Sequence, residues 1–199
     1  MKLKPSERKT FKQLVMPLLD DMHRLAYFLC NDENDAQDLV AESIRKACEK
    51  FSSLKNHSKI KPWLIRILRN TFLNTCRDDK KHQTVEYSED DNEDDAHFSL
   101  FTEISQPFLL WWGNPERELL DKLMEEDIQQ ALAELPCEYR FVVILCDVEG
   151  YSYKEISDTL NLSPGTVRSR IARGRSKLQK KLYHHAIDRG IIQNQTLNQ

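Results

Sequence analysis

Apolar residues recur at intervals of three and four along most of this chain and almost nowhere alternate with polar ones. From Phe11 to Leu29 the pattern runs through Leu14, Val15, Leu18, Leu19, Met22, Leu25 and Ala26. Such intervals gather the side chains on one face of an α-helix, a face that must be buried for the helix to persist. Gly is scarce, at five of 199 residues, and β-branched alternation is nearly absent. The expected fold class is all-α.

The stripes come in sequence. Asn31 to Asn34 is polar and turn-prone, and a second helix then carries Ala36, Leu39, Val40, Ser43, Ala47 and Phe51 on one face. Asp38, Glu42, Arg45 and Glu49 point the other way. Ser52–Lys61 reads as a loop, and Pro62 suits the first turn of a third helix, where its missing N–H costs nothing. That helix presents Trp63, Leu64, Ile67, Leu68, Thr71, Phe72 and Thr75 to a core, and Arg66, Arg69, Asn70, Asn74 and Arg77 outward. Trp63 is expected to be buried for its size.

Periodicity fails from Asp78 to about Gly113. The run Glu86–Asp95 holds seven acids and no Lys or Arg, too little apolar surface to order itself. Downstream, Phe108, Leu109, Trp111 and Trp112 are too apolar for a plain spacer and predict a tether that docks on something. Periodicity resumes near Pro115, restarts at Pro136 with Tyr139, Val142, Val143, Leu145 and Cys146, and meets a helix stop at Gly150. The chain therefore divides into a helical domain over 11–81, an acidic flexible linker over 82–113 and a second small helical domain over 114–183.

The most informative segment is EGYSYKEISDTLNLSPGTVRSRIARGRSKLQKKL, from Glu149 to Leu182. Ser152 and Glu155 form a capping box at the start of a short helix. Asn161-Leu162 makes a turn, and Ser163 caps a second helix with Pro164 at its first position. Val167, Ile171 and Leu178 hold that helix to the core, while Thr166, Arg168, Ser169, Ala172, Arg173 and Arg175 are expected on its outer face. This is a helix-turn-helix, whose second helix enters the DNA major groove. Arg bonds a guanine edge bidentately, and Ser or Thr bonds bases or phosphates. Arg170 falls about 200° from Arg168 around a 3.6-residue turn, so a phosphate or a neighbouring acid is its expected partner.

Charge agrees with a polyanion partner. The net charge is only −3, yet Thr159–Ile187 holds Arg168, Arg170, Arg173, Arg175, Lys177, Lys180 and Lys181 with no acid. Cations that displace condensed counterions from phosphates gain binding free energy, so distribution matters more than the sum. The five cysteines, Cys30, Cys48, Cys76, Cys137 and Cys146, are widely spaced without a C-x-x-C pair. They are expected to be free thiols packed as small hydrophobes, not zinc ligands or disulfides. No metal or cofactor is expected, and the six histidines show no ligand spacing. No stretch approaches the roughly 20 apolar residues of a membrane span. The absence of a Gly-rich phosphate loop or a nucleophile–base pair leaves an enzyme without support. A soluble, cytoplasmic, DNA-binding protein is the expectation.

The run from Leu135 to Leu178 resembles the region 4 domain of extracytoplasmic-function sigma factors, the small sigma-70 relatives. The family pattern falls on Leu135-Pro136, on Glu149-Gly150-Tyr151-Ser152-Tyr153-Lys154-Glu155-Ile156 and on Ser163-Pro164-Gly165-Thr166-Val167-Arg168-Ser169-Arg170. DAQDLVAESIRKACEKF (Asp35–Phe51) is similar to region 2.2, and KPWLIRILRNTFLN (Lys61–Asn74) to region 2.4. The resemblance covers about Leu14–Lys81 and Glu118–Leu182.

The resemblance implies an RNA polymerase subunit that brings the core enzyme, through its β′ clamp helices and β flap, to −10 and −35 promoter elements. Asp38, Leu39 and Glu42 would meet the clamp helices, with a departure at Ala41, where many relatives carry Gln. Lys59, Lys61, Arg66, Arg69 and Asn70 would serve the −10 element, Asn70 reading an unstacked base and the Ser52–Lys61 loop accepting a flipped one. Such a basic channel suits single-stranded DNA. The family is commonly held inactive by an anti-sigma factor, which is a further expected partner. The alternative is a stand-alone helix-turn-helix regulator whose N-terminal helices dimerise or sense a ligand.

Overall fold

The computed structural model describes residues 4–82 and 125–189; side chains are described for 4–78 and 126–189. The acidic tract and the apolar segment beyond it lie outside these residues. Within them the regular elements are all helices, joined by short turns. The first domain comprises α1 (Pro5–Val15), α2 (Leu19–Cys30), α3 (Glu33–Lys50) and α4 (Ile60–His82). The second comprises α5 (Glu125–Ala133), α6 (Cys137–Val143), a π turn (Ile144–Val148), α7 (Tyr153–Leu160) and α8 (Pro164–Asp188).

The first stripe is not one helix. Pro17 sits in a short 3₁₀ turn, Met16–Leu18, that separates α1 from α2. Proline lacks an N–H and crowds the carbonyl four residues back, so the helix breaks there although the apolar pattern continues. Asn31 ends α2 in the left-handed region (φ 56°), and the Asp32 carboxylate caps α3 by accepting from the Asn34 and Asp35 N–H groups. The expected loop contains two 3₁₀ turns, Phe51–Ser53 and His57–Lys59, before α4 begins at Ile60.

In the second domain, Gly150 takes φ 73° after the π turn, a conformation only glycine adopts without strain. The Ser152–Glu155 capping box is formed in both directions, and Ser163 caps α8 with Pro164 in its first turn. Between them Asn161 is left-handed (φ 53°), and the buried Ser157 hydroxyl donates to the Leu162 carbonyl at 2.6 Å, closing the turn. Gly174 is the packing point of α8. A Cβ there would lie 2.6 Å from Val143 Cγ2 and 3.2 Å from Tyr139 Cβ. Only its missing side chain lets α8 and α6 approach so closely.

The two domains are docked. The Phe72 ring of α4 lies 6.3 Å from the Phe141 ring of α6, and the Arg140 guanidinium sits 5.7 Å above Phe72. Arg140 also donates to the Leu29 carbonyl at the end of α2 (2.7 Å) and to the Leu135 (3.0 Å) and Ala133 carbonyls. Helix ends leave carbonyls without intrahelical partners, and one cation here serves two such ends. Burial pushes Arg140 down to about 10.

A Cys76–Cys137 disulfide joins α4 to α6 across the same seam. This corrects the expectation of free thiols throughout. Sixty-one residues separate the two cysteines, so no short-range spacing announces the pair; only docking of the domains brings their Cα atoms to 6.7 Å. Cys30, Cys48 and Cys146 remain thiols.

Candidate nucleic-acid interface

The recognition helix owes its orientation to its buried face. Val167 and Ile171 are fully buried and Leu178 nearly so. Helical geometry then turns Arg168, Ser169, Ala172 and Arg173 outward together, and all four are exposed. Thr166, half-buried at the helix start, shares a 2.8 Å hydrogen bond with Ser163 and so supports the cap as well as the face. The Ser169 hydroxyl donates to the Thr166 carbonyl at 3.1 Å. Arg170 departs from the strip, as its angular position predicts, and pairs with Glu138 of α6.

Arg175 is a correction. Its expected place on the outer face is not where the chain puts it: Nε and Nη2 donate to the two carboxylate oxygens of Asp147, at 3.1 and 2.5 Å. The Asp147 side chain is 4% exposed and that of Arg175 21%. Asp147 sits in the π turn, whose extra residue per turn carries this carboxylate toward α8. The guanidinium therefore neutralises an internal charge and fixes α8 to the π turn, with Tyr153 Oη a further acceptor at 3.3 Å.

The −10 candidates divide. Lys59, Lys61, Arg66 and Asn70 are exposed. Lys61 pairs with Asp21 at 2.7 Å and lines a small cavity between the domains, with Leu64 and Ile65 on its side and Leu145, Glu149 and Tyr151 opposite. The hydrogen bond to Asp21 raises its pKa. Arg69 is half-buried; burial first, and then the nearby Arg170, push its guanidinium below its ordinary value. One end of the −10 surface thus runs into the seam with the second domain. Arg24 of α2 adds a cross-domain pair with Glu149, at 2.8 Å from Nη2 to Oε2.

The polymerase-facing candidates lie on α3. Asp38 is exposed, whereas Leu39 is 7% exposed and belongs to the core. Glu42 accepts from Arg45 Nε and Nη2, both at 2.7 Å, and pairs with Lys46 at 3.3 Å. The Arg45 hydrogen bond is the main cause that holds its carboxyl down to about 2. Trp63, expected in the core, is only partly buried, packed against it.

Sequence reasoning overlooked Arg140 and the Cys76–Cys137 pair. A trace of the first was visible: Arg140 interrupts the apolar run from Tyr139 to Leu145 and follows a helix start at Pro136. Among the described residues, no three His, Cys, Asp or Glu side chains are grouped to hold a metal ion, and no helix is long and apolar enough to cross a membrane.

Known proteins align with these elements. The sigma-70 region 2 family matches residues 14–82 and the sigma-70 region 4 family residues 125–178. The ECF RNA polymerase sigma factor SigE of Mycolicibacterium smegmatis is 36% identical over 179 residues, covering 89% of this chain and 63% of its own length. The ECF RNA polymerase sigma-E factor of Haemophilus influenzae is 30% identical over 154 residues, covering 75% of each chain. Among solved structures, the sigma factor RpoE of Bartonella quintana, crystallised with the anti-sigma factor NepR, superposes with a TM-score of 0.58 at 25% identity, over 88% of this chain and 98% of that one. A capped helix-turn-helix with an Arg-bearing outer face, behind a four-helix domain that matches region 2, places this chain in the sigma-70 family as an extracytoplasmic-function sigma factor.

Proposed function

We propose that this chain is the dissociable promoter-reading subunit of RNA polymerase, acting where the chromosome is transcribed, in a reducing cytoplasm. It binds rather than catalyses. Asp38 and Glu42, on the solvent face of α3, meet the β′ clamp helices, and Leu39 supports that face from beneath. Lys59, Lys61, Arg66 and Asn70 engage the −10 element, joined by Arg69 once the domains part. Arg168, Ser169, Ala172 and Arg173 enter the −35 major groove, with Thr166 at the helix start. Arg175 positions this helix without touching DNA. The second domain also rests on the β flap. An anti-sigma factor is the expected regulator, as a partner of that kind accompanies the Bartonella quintana relative.

The observation that carries the reading is the exposed Arg168, Ser169, Ala172, Arg173 strip directly over the buried Val167, Ile171, Leu178 stripe. The decisive experiment is transcription with purified core polymerase on genomic fragments, followed by mapping of start sites. Discrete starts that need both polymerase and this chain are expected. Tight operator binding by the chain alone, without any polymerase-dependent start, would instead make it a stand-alone regulator.

A further inference from the structure

We propose that Cys76 and Cys137 form a reversible redox latch: the disulfide holds the two domains closed and prevents simultaneous engagement of both promoter elements, and a dithiol reductant releases them. The inference rests on the promoter-reading function above.

The latch lies on the seam between α4 and α6. Phe72 precedes Cys76 by four residues and Phe141 follows Cys137 by four, so the disulfide and the ring pair bridge the same two helices at neighbouring turns. Arg69 on α4 and the Arg170–Glu138 pair lie close enough to interact electrostatically. The −10 and −35 candidate surfaces are therefore near neighbours in the closed chain. Promoter elements of those names lie roughly 25 base pairs apart, on the order of 85 Å at a rise of 3.4 Å per pair. A helix as long as α4 reaches only about 35 Å. The closed chain cannot span that gap. Once the domains part, the residues between 82 and 125 supply more than ~100 Å of contour at roughly 3.3 Å each.

Without the disulfide, the seam is a non-covalent interface of rings, apolar side chains, Arg140 hydrogen bonds and ion pairs, which a partner can compete with. With it, opening requires breaking a covalent bond. A disulfide in a reducing compartment is usually a transient or sensing one. Both cysteines are partly buried, with enough surface open for small oxidants and reductants to reach them. In closing, two thiols and one hydrogen peroxide give the disulfide and two waters. In opening, a dithiol donates two electrons and two protons through a mixed disulfide, leaving two protein thiols and its own disulfide. Burial raises Cys30 and Cys146 to about 11, which keeps them protonated and slow to compete in exchange.

The test uses the full chain, wild type and the Cys76→Ser and Cys137→Ser variants, each treated with hydrogen peroxide or dithiothreitol. Helical content by circular dichroism confirms that the variants fold. Peptide mapping of the oxidised wild type is expected to recover the Cys76–Cys137 link, small-angle scattering a smaller radius of gyration than in the reduced form, and transcription with core polymerase a several-fold lower yield. Both variants are expected to behave alike under the two treatments. Absence of the linked peptide, an unchanged radius, or equal transcription by oxidised and reduced wild type each overturns the latch. If the reduced wild type directs no transcription on any fragment, the promoter-reading assignment fails, while mapping and scattering still decide whether the latch exists.

Discussion

The two candidate DNA surfaces differ in how the chain treats them. On α8 the strip from Arg168 to Arg173 is exposed, because the residues that anchor the helix lie on its opposite side. On α4, Lys61 stays exposed although paired with Asp21 of the same domain, whereas Arg69 is half-buried at the inter-domain seam, near Arg170. One candidate surface is thus open along its whole face, whereas the other borders the inter-domain seam at Arg69. A reader of duplex DNA needs a rigid helix face.

The largest effect expected within this comparison comes from Arg175. Arg175→Ala would leave the Asp147 carboxylate buried and unpaired and destabilise the second domain by about 3–5 kcal/mol, measured by chemical denaturation. A loss below about 1 kcal/mol together with a changed −35 preference would return Arg175 to the groove-facing set.

Arg173→Ala is expected to keep the fold, cost about 1–3 kcal/mol in binding the preferred −35 duplex and relax preference at one position. Lys180→Ala should weaken all sequences alike and lower the salt slope by roughly one unit. Selection from a randomised −35 library at two salt concentrations separates them; equal weakening of every site by Arg173→Ala would mean that the helix is turned differently.

On α3, reversing Asp38 and Glu42 to Lys is expected to reduce affinity for core polymerase about tenfold by placing like charges across the contact, with helical content unchanged. Unaltered affinity in a binding titration would remove α3 from the polymerase contact. The smallest effect is expected from Arg24→Ala. The Arg24–Glu149 pair is largely exposed on the Arg side, so stability should change by no more than about 1 kcal/mol. Faster amide exchange at the end of α2 and in the π turn would report loosening of the seam. Unchanged exchange would show that Arg140, the ring pair and the disulfide hold it without Arg24.

Much of the fold is legible in the sequence because its signals are local. The capping box at Ser152 and Glu155, the Ser163 cap with Pro164, and the left-handed Asn161 all act within a single turn of helix. The buried stripe of α3 and the four-residue face of α8 follow from periodicity alone. Pro17 shows the limit of that reasoning, since an apolar stripe persists across a backbone that cannot stay helical.

The candidate site was less legible wherever its chemistry depends on distant partners. Arg173 and Arg175 look equivalent in the sequence, yet Arg173 is exposed, whereas Arg175 pairs with a buried carboxylate 28 positions away in Asp147. Lys61 and Asp21 are 40 residues apart, and Cys76 and Cys137 are 61 apart. The sequence by itself determined the all-helical class, the helix-turn-helix and the outward strip from Arg168 to Arg173, because turn chemistry and helical period act between residues a few positions apart. Only the tertiary structure decided the docking of the domains, the internal role of Arg175 and the Cys76–Cys137 link. Those depend on which surfaces meet in space, and charge or sulfur at a given position carries no record of its distant partner.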